Sequence, residues 1–161
     1  MPAKPGIIVN CPGLPPFDLR YLVLDLNGTI SLDGELIEGV AERVRRLAGS
    51  LDVSVLTADT RGTARAIAEA LHSGLYRFDQ GLESHQKREV VRRLGADHVV
   101  AVGNGANDGL MLEAAAIGVA VLGREGLARE AREGAHIVVP HINDALDLLL
   151  LPQRLIATLR R

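Results

Sequence analysis

Leu22-Val23-Leu24-Asp25-Leu26-Asn27-Gly28-Thr29 is the stretch on which the fold turns. Asn-Gly between apolar segments is the strongest short hairpin signal, and on that account Asp25 is only a strand-edge residue. Tyr21 to Leu24, however, is continuously apolar rather than alternating, which suits a central strand buried on both faces. A better hairpin turn, Asp33-Gly34, follows between residues 29–32 and 35–37. Asp25 is therefore expected where a parallel strand leaves the sheet, with a small β-hairpin flap just after it. Ligands of open α/β sheets bind outside such carboxyl ends.

Outward from this stretch, apolar runs alternate with amphipathic ones. The runs are Ile7–Val9 and residues 21–26, 53–56, 75–78, 98–102, 117–122 and 137–139. Between most of them lie helix-period stretches at 40–48, 63–71, 86–94, 107–116, 127–132 and 143–151. Unbroken apolar strands separated by helices predict an α/β, doubly wound parallel sheet with helices on both faces. Punctuation agrees: Thr60 or Asp59 can cap the second helix and Gly74 end it, while Ser84 can cap the third and Gly95 close it.

Composition bounds the rest. The chain has 161 residues, 47% hydrophobic and 24% charged, with a net charge of −2, which excludes disorder as the dominant state. Without a basic excess there is no counterion release to drive nucleic-acid binding, and two Tyr, two Phe and no Trp make a poor stacking platform. Cys11 stands alone, so an intramolecular disulfide and a cysteine metal cage are excluded and a small buried apolar role is expected. The longest nearly uncharged run, 109–123, is interrupted by Glu113 and falls short of the roughly 20 residues of a membrane span. Lys4 is not followed by a signal-peptide core. The expectation is a soluble, cytoplasmic single domain over 1–161, with a core at 21–140 and a helical segment at 141–161. Leu155, Ile156 and Leu159 are spaced to pack that segment on its own domain, or alternatively to form a homo-oligomer contact.

Four places could carry chemistry. Asp25 ends one strand, and Thr57 ends another, Val53-Ser54-Val55-Leu56-Thr57. Lys87, one of only two lysines, stands near a helix start. The fourth is Val102-Gly103-Asn104-Gly105-Ala106-Asn107-Asp108, a strand, a glycine-flexed loop and a carboxylate that opens a helix. Its glycines, 103, 105 and 109, miss the dinucleotide fingerprint by one place. Each feature alone has a bland explanation as a cap, a turn or a solvated side chain. Together, in this order, they offer a nucleophile, a donor to phosphoryl oxygens, a charge neutraliser and a metal ligand, the set that phosphoryl transfer through an aspartyl phosphate needs. The five His residues (72, 85, 98, 136 and 141) show no metal spacing. Arg124, after Gly123 at a strand end, is a weak anion candidate.

With those four motifs in that order, the chain resembles the haloacid dehalogenase (HAD) superfamily over about 21–140. It looks closest to small soluble proteins likened to the phosphorylation domain of P-type ATPases. The resemblance implies a Rossmannoid sheet of order 3-2-1-4-5 with the Asp25 strand at its centre. It implies Mg²⁺ as cofactor and a small phosphorylated substrate or phosphate as partner, with no nucleic acid and no membrane. Asp25 matches the nucleophile, Thr57 the hydroxyl on the phosphoryl oxygens and Lys87 the neutralising cation, with Ala58 and Asn107 beside the phosphate. Asp25, the backbone carbonyl of Asn27, Asn104 and Asp108 match the metal-binding positions. The intervals 25–57 and 57–87 have no room for an inserted cap domain, so the chain looks like the capless class.

Two positions depart from the usual pattern. HAD phosphatases carry Asp two residues after the nucleophile as general acid/base, where this chain has Asn27. The metal loop usually begins Gly-Asp-Gly, where this chain has Gly103-Asn104-Gly105. An amide cannot protonate a leaving group, and losing such help costs about 10²–10⁴ in rate. P-type ATPases carry Thr at the first place, and the soluble branch carries Asn at both. The leading expectation is a Mg²⁺-dependent phosphohydrolase acting through an aspartyl phosphate on Asp25. The alternatives are a phosphoacceptor or phosphate-binding module, and a structural subunit.

Overall fold

The computed structural model describes residues 2–59 and 62–161. The chain opens on an antiparallel ribbon, β1 (Ile7–Val9) against β2 (Phe17–Leu19), with Ile8 facing Asp18. This corrects the expectation that the Ile7–Val9 run joins the parallel sheet. Too few residues separate it from the next strand for a parallel crossover, which takes a dozen or more, whereas an antiparallel return needs only a loop. The ribbon forms a sheet of its own.

The main sheet begins with β3 (Tyr21–Asp25), which is followed by the hairpin β4 (Ser31–Leu32) and β5 (Glu35–Leu36). Then come α1 (Val40–Leu47), β6 (Asp52–Thr57), α2 (Ala64–Leu71), β7 (Gly74–Arg77) and α3 (Glu83–Leu94). The second half runs β8 (Val99–Gly103), α4 (Gly109–Ala114), β9 (Ile117–Val121), α5 (Arg129–Gly134), β10 (Ile137–Val139), α6 (Ile142–Leu150) and α7 (Pro152–Leu159). Six strands pair in the order β10-β9-β8-β3-β6-β7, all parallel. This is the 3-2-1-4-5 order with one further strand at the edge, and no cap domain interrupts it. The fold is the α/β Rossmannoid one.

Core packing follows from strand alternation. Leu22 and Leu24 of β3 and Val100 and Val102 of β8 face α1, α2, α6 and α7, while Val23, Val99 and Ala101 face α3, α4 and α5. Leu22, Val23 and Leu24 are fully buried, and each large apolar side chain so placed stabilises the fold by about 1.5–3 kcal/mol. Leu155 of α7 is buried in the same core, so the C-terminal helix packs on its own chain. Cys11 is buried, as expected. Among the described residues no helix is long and apolar enough to cross a membrane.

Local signals fared unevenly. Asp33 (φ 52) and Gly34 (φ 86) make the tight turn of the β4–β5 hairpin, whose two left-handed residues match the strand twist. Asn27-Gly28 is no hairpin tip: Leu26 O accepts from the amides of Thr29, Ile30 and Ser31 and closes the loop on itself. Asp59 does serve α2, accepting from Ala64 N at 2.8 Å, whereas Thr60 lies outside the described residues. Gly74 does not end α2. His72 does so in the left-handed conformation, and Gly74 opens β7. Ser84 does not cap α3, because the helix starts one residue earlier at Glu83, while Gly95 closes it.

Candidate active site

Chain order reverses at β3: the chain runs outward through β6 and β7, then returns to β8 on the other flank. Two loops therefore splay apart at the carboxyl end of β3, which is where an open α/β sheet forms its crevice. Asp25 is the last residue of β3, and Thr57 follows Leu56, its neighbour in register on β6. The Gly103–Asp108 loop leaves β8 on the opposite side. A cavity of about 240 Å³ lies between them.

Lys87 reaches this point from α3. It occupies a core-facing position of the helix with Val90 and Val91, and it is 1% exposed. Its Nζ donates to Asp25 Oδ1 and to Asp108 Oδ1, each at 2.7 Å. Asp108 is fully buried, and its Oδ2 accepts from the amides of Asn104 (3.1 Å) and Gly105 (2.9 Å). A Cβ on residue 103 would lie 2.5 Å from Asp108 Cγ, so glycine there is what lets the carboxyl tuck against the strand end. Burial, and then the Asp25 charge, push the Asp108 carboxyl up to about 7 against the pull of Lys87. Burial lowers the Lys87 pKa, but the two carboxylates more than reverse this and hold the ammonium firmly protonated.

Two carboxylates thus share one ammonium, leaving a buried negative charge. Thr29, fully buried, places Oγ1 at 3.0 Å from both Asp25 Oδ2 and Asn104 Oδ1. A hydroxyl has one proton, so two acceptor oxygens share a single donor. The Asn104 amide is oriented by its Nδ2, which donates to Gly126 O at 3.2 Å. Surplus negative charge and donor-poor oxygens fit a hard cation such as Mg²⁺. Among the described residues no three His, Cys, Asp or Glu side chains gather as a metal cage, so such an ion would rest on few protein oxygens and keep water, as Mg²⁺ does.

Asp25, Asn27, Thr57, Ala58, Lys87, Asn104 and Asn107 all line the cavity. Asp108 does not: it stands behind Lys87. Thr57 Oγ1 accepts from Asp59 N at 3.0 Å, which leaves its own proton to point elsewhere. Three acids that the sequence did not mark as site residues, Asp59, Glu83 and Glu125, share the wall. His85 faces Arg88 on the outside of α3, and Arg124 lines a different cavity. That larger space, about 560 Å³, lies under the β4–β5 hairpin and is walled by Leu32, Leu36, Leu122, Arg124 and His141.

Comparison with known proteins gives the family. Residues 9–116 match the haloacid dehalogenase-like hydrolase family, a span that includes Asp25, Thr57, Lys87 and Asp108. An uncharacterised protein of Methanocaldococcus jannaschii is 42% identical over 84 residues, covering 50% of this chain and 90% of its own length. The phospholipid-transporting ATPase tat-1 of Caenorhabditis elegans is 40% identical over 62 residues, which is 38% of this chain but 5% of that much longer protein. Among solved structures, 3-deoxy-D-manno-octulosonate 8-phosphate phosphatase of Moraxella catarrhalis, in complex with magnesium, phosphate and its sugar acid, superposes with a TM-score of 0.65. That likeness covers 88% of this chain and 94% of the other at 16% identity, and it speaks for the fold alone. With more than half its length matched and the motif residues at the ends of the expected strands, the chain belongs to the haloacid dehalogenase-like hydrolases.

Proposed function

We propose that the protein is a Mg²⁺-dependent phosphohydrolase that cleaves small phosphomonoesters through an aspartyl phosphate on Asp25. The observation that carries this reading is Lys87 Nζ, buried and 2.7 Å from Asp25 Oδ1, at a cavity between the ends of β3, β6 and β8. The lysine pairs with Asp25, the nucleophile, and orients it. Thr57 has a hydroxyl proton to give to a phosphoryl oxygen, and Ala58 and Asn107 line the same space. Asp25, the Asn27 backbone carbonyl and Asn104 are the groups at the cavity that would hold Mg²⁺, with Asp108 supporting them from behind through Lys87 and the Asn104 amide. When bound, the ion would neutralise charge on the phosphoryl oxygens. Asp25 forms a bond to phosphorus as the alcohol oxygen leaves, and water then releases inorganic phosphate and restores the carboxylate. The larger cavity beneath the hairpin is the place for the leaving alcohol. The Moraxella phosphatase, whose structure holds magnesium and phosphate, supports this reading.

The test is inorganic phosphate release from a panel of phosphomonoesters, with and without Mg²⁺, by wild type and Asp25→Asn. Release that needs Mg²⁺ and falls by at least about 10⁴-fold in the variant is expected. Equal background from both proteins across the panel would end the proposal. Asn27 favours a second reading, a phosphoacceptor that holds the phosphoryl group, because an amide cannot take a proton from the attacking water. A phosphorylated Asp25 that persists in intact-mass spectra of wild type while no phosphate appears would select it.

A further inference from the structure

We propose that Glu125 is the general acid/base of the reaction, supplying the carboxylate that Asn27 lacks. This rests on the phosphohydrolase reading above. Asn27 lines the cavity that holds Asp25, and its amide cannot exchange a proton with substrate or water. Glu125 lines the same cavity. Its Oε2 packs directly over Gly28, where any Cβ would run into it. The carboxyl therefore covers the backbone one residue beyond Asn27, beside the segment that a catalytic Asp at 27 would serve.

The position is built. Gly123, Arg124, Glu125 and Gly126 form a tight turn at the end of β9, closed by Gly126 N donating to Gly123 O at 3.0 Å. Two hydrogen bonds dock that turn on the loop after β8, both through Asn104: its Nδ2 donates to Gly126 O (3.2 Å) and its carbonyl accepts from Ala128 N (2.9 Å). An aspartate at 104 has no N–H to give Gly126 O and would face that carbonyl with a charge. The two amides that depart from the usual pattern thus belong together. Asn27 removes the usual proton carrier, and Asn104 holds the turn that brings in another.

Location also suits both halves of the reaction. Gly28 lines the larger cavity under the hairpin while Asn27 and Glu125 line the smaller one, so Oε2 sits at their boundary. An oxygen leaving phosphorus for the larger cavity passes this boundary. Protonated Glu125 gives its proton to that oxygen as the P–O bond to the alcohol breaks and the bond to Asp25 forms. Ionised Glu125 then takes a proton from water as the water oxygen bonds to phosphorus and the Asp25–phosphorus bond breaks, its electron pair returning to the Asp25 carboxylate. Glu125 is exposed, so water reaches it.

The test compares wild type, Asp25→Asn, Glu125→Gln, Asn27→Asp/Glu125→Gln and the exposed control Glu133→Gln with an alkyl and an aryl phosphomonoester and Mg²⁺. Glu125→Gln should release phosphate from the alkyl ester about 10²-fold more slowly. From the aryl ester, whose leaving group needs no acid, it should accumulate phosphorylated Asp25 in quenched samples by mass spectrometry. Asn27→Asp in that background should recover at least about tenfold, because it returns a carboxylate to the vacated role. Glu133→Gln should match wild type. A Glu125→Gln rate within twofold of wild type overturns the inference, as does a double variant no faster than Glu125→Gln. Slow turnover with neither adduct nor beryllofluoride binding would also overturn it, since Glu125 would then only hold the site together. If Asp25→Asn turns over like wild type, the phosphohydrolase reading itself fails. If only Asp25→Asn is inactive, that reading stands and Glu125 alone is dismissed.

Discussion

Two cavities meet at Gly28, and their walls are made differently. The smaller one is bounded by the ends of three adjacent strands of the main sheet, and its central group, Lys87, is tied at 2.7 Å to two carboxylates. The larger one is bounded on one side by a hairpin of two-residue strands, with exposed Asp33 at its tip. Asp25 and Lys87 in the first cannot move without breaking buried charge pairs. Leu32 and Leu36 in the second are half-buried side chains on a short ribbon. This division suits an enzyme that fixes its chemistry and leaves selectivity to replaceable residues.

Lys87→Met presses hardest on that contrast. It leaves Asp25 and the fully buried Asp108 facing each other with no ammonium between them, and breaking a buried pair in this way costs about 3–5 kcal/mol. The urea midpoint should fall sharply with an unchanged slope, and Asp108→Asn in the same chain should restore much of the loss by removing one of the stranded charges. A Lys87→Met midpoint equal to wild type would mean that the polar cluster does not anchor the smaller cavity.

Metal removal comes next in size. On the proposed function, Mg²⁺ binds only the folded chain, so at 100 times its dissociation constant it should add about 2.7 kcal/mol. The melting temperature of wild type should climb with Mg²⁺ and drop back on adding chelator, and Asp25→Asn should blunt the climb. A flat titration in wild type would remove the ion from the smaller cavity and leave Lys87 as its sole counter-charge among the described residues.

The two cavities also differ in how far the sequence disclosed them. Asp25 and Thr57 were legible because each closes a continuous apolar run, and such runs become buried parallel strands whose ends define the crevice. Lys87 was legible as a rare lysine near a helix start, whereas its place beside Val90 and Val91 on the buried face of α3 emerges only in the structure. Glu125 was not. No periodicity marks it, since its place depends on the docking of a four-residue turn through the side chain of Asn104, 21 positions back in the chain. Arg124, next to it, looked the better candidate by charge, yet the turn sends the two side chains to different cavities. Ile7–Val9 failed for a related reason. An apolar triplet reads the same in an edge ribbon as in a core strand, and only its partner, the Asp-containing Phe17–Leu19, separates the cases.

The smallest expected effect lies in the larger cavity. Leu36 is half-buried there, packed against the core from the second strand of the hairpin. Leu36→Ala removes apolar surface that is already partly wet, so stability should change by about 1 kcal/mol or less. Its consequence should be in recognition: KM for phosphomonoesters with bulky apolar alcohols should rise about three- to tenfold, while kcat stays put. Such a split marks binding that ground state and transition state share equally, as expected of a wall that touches the alcohol and not the phosphorus. Should kcat fall in step with kcat/KM instead, the hairpin would be tightening on the transition state. The boundary at Gly28 would then no longer separate chemistry from selectivity.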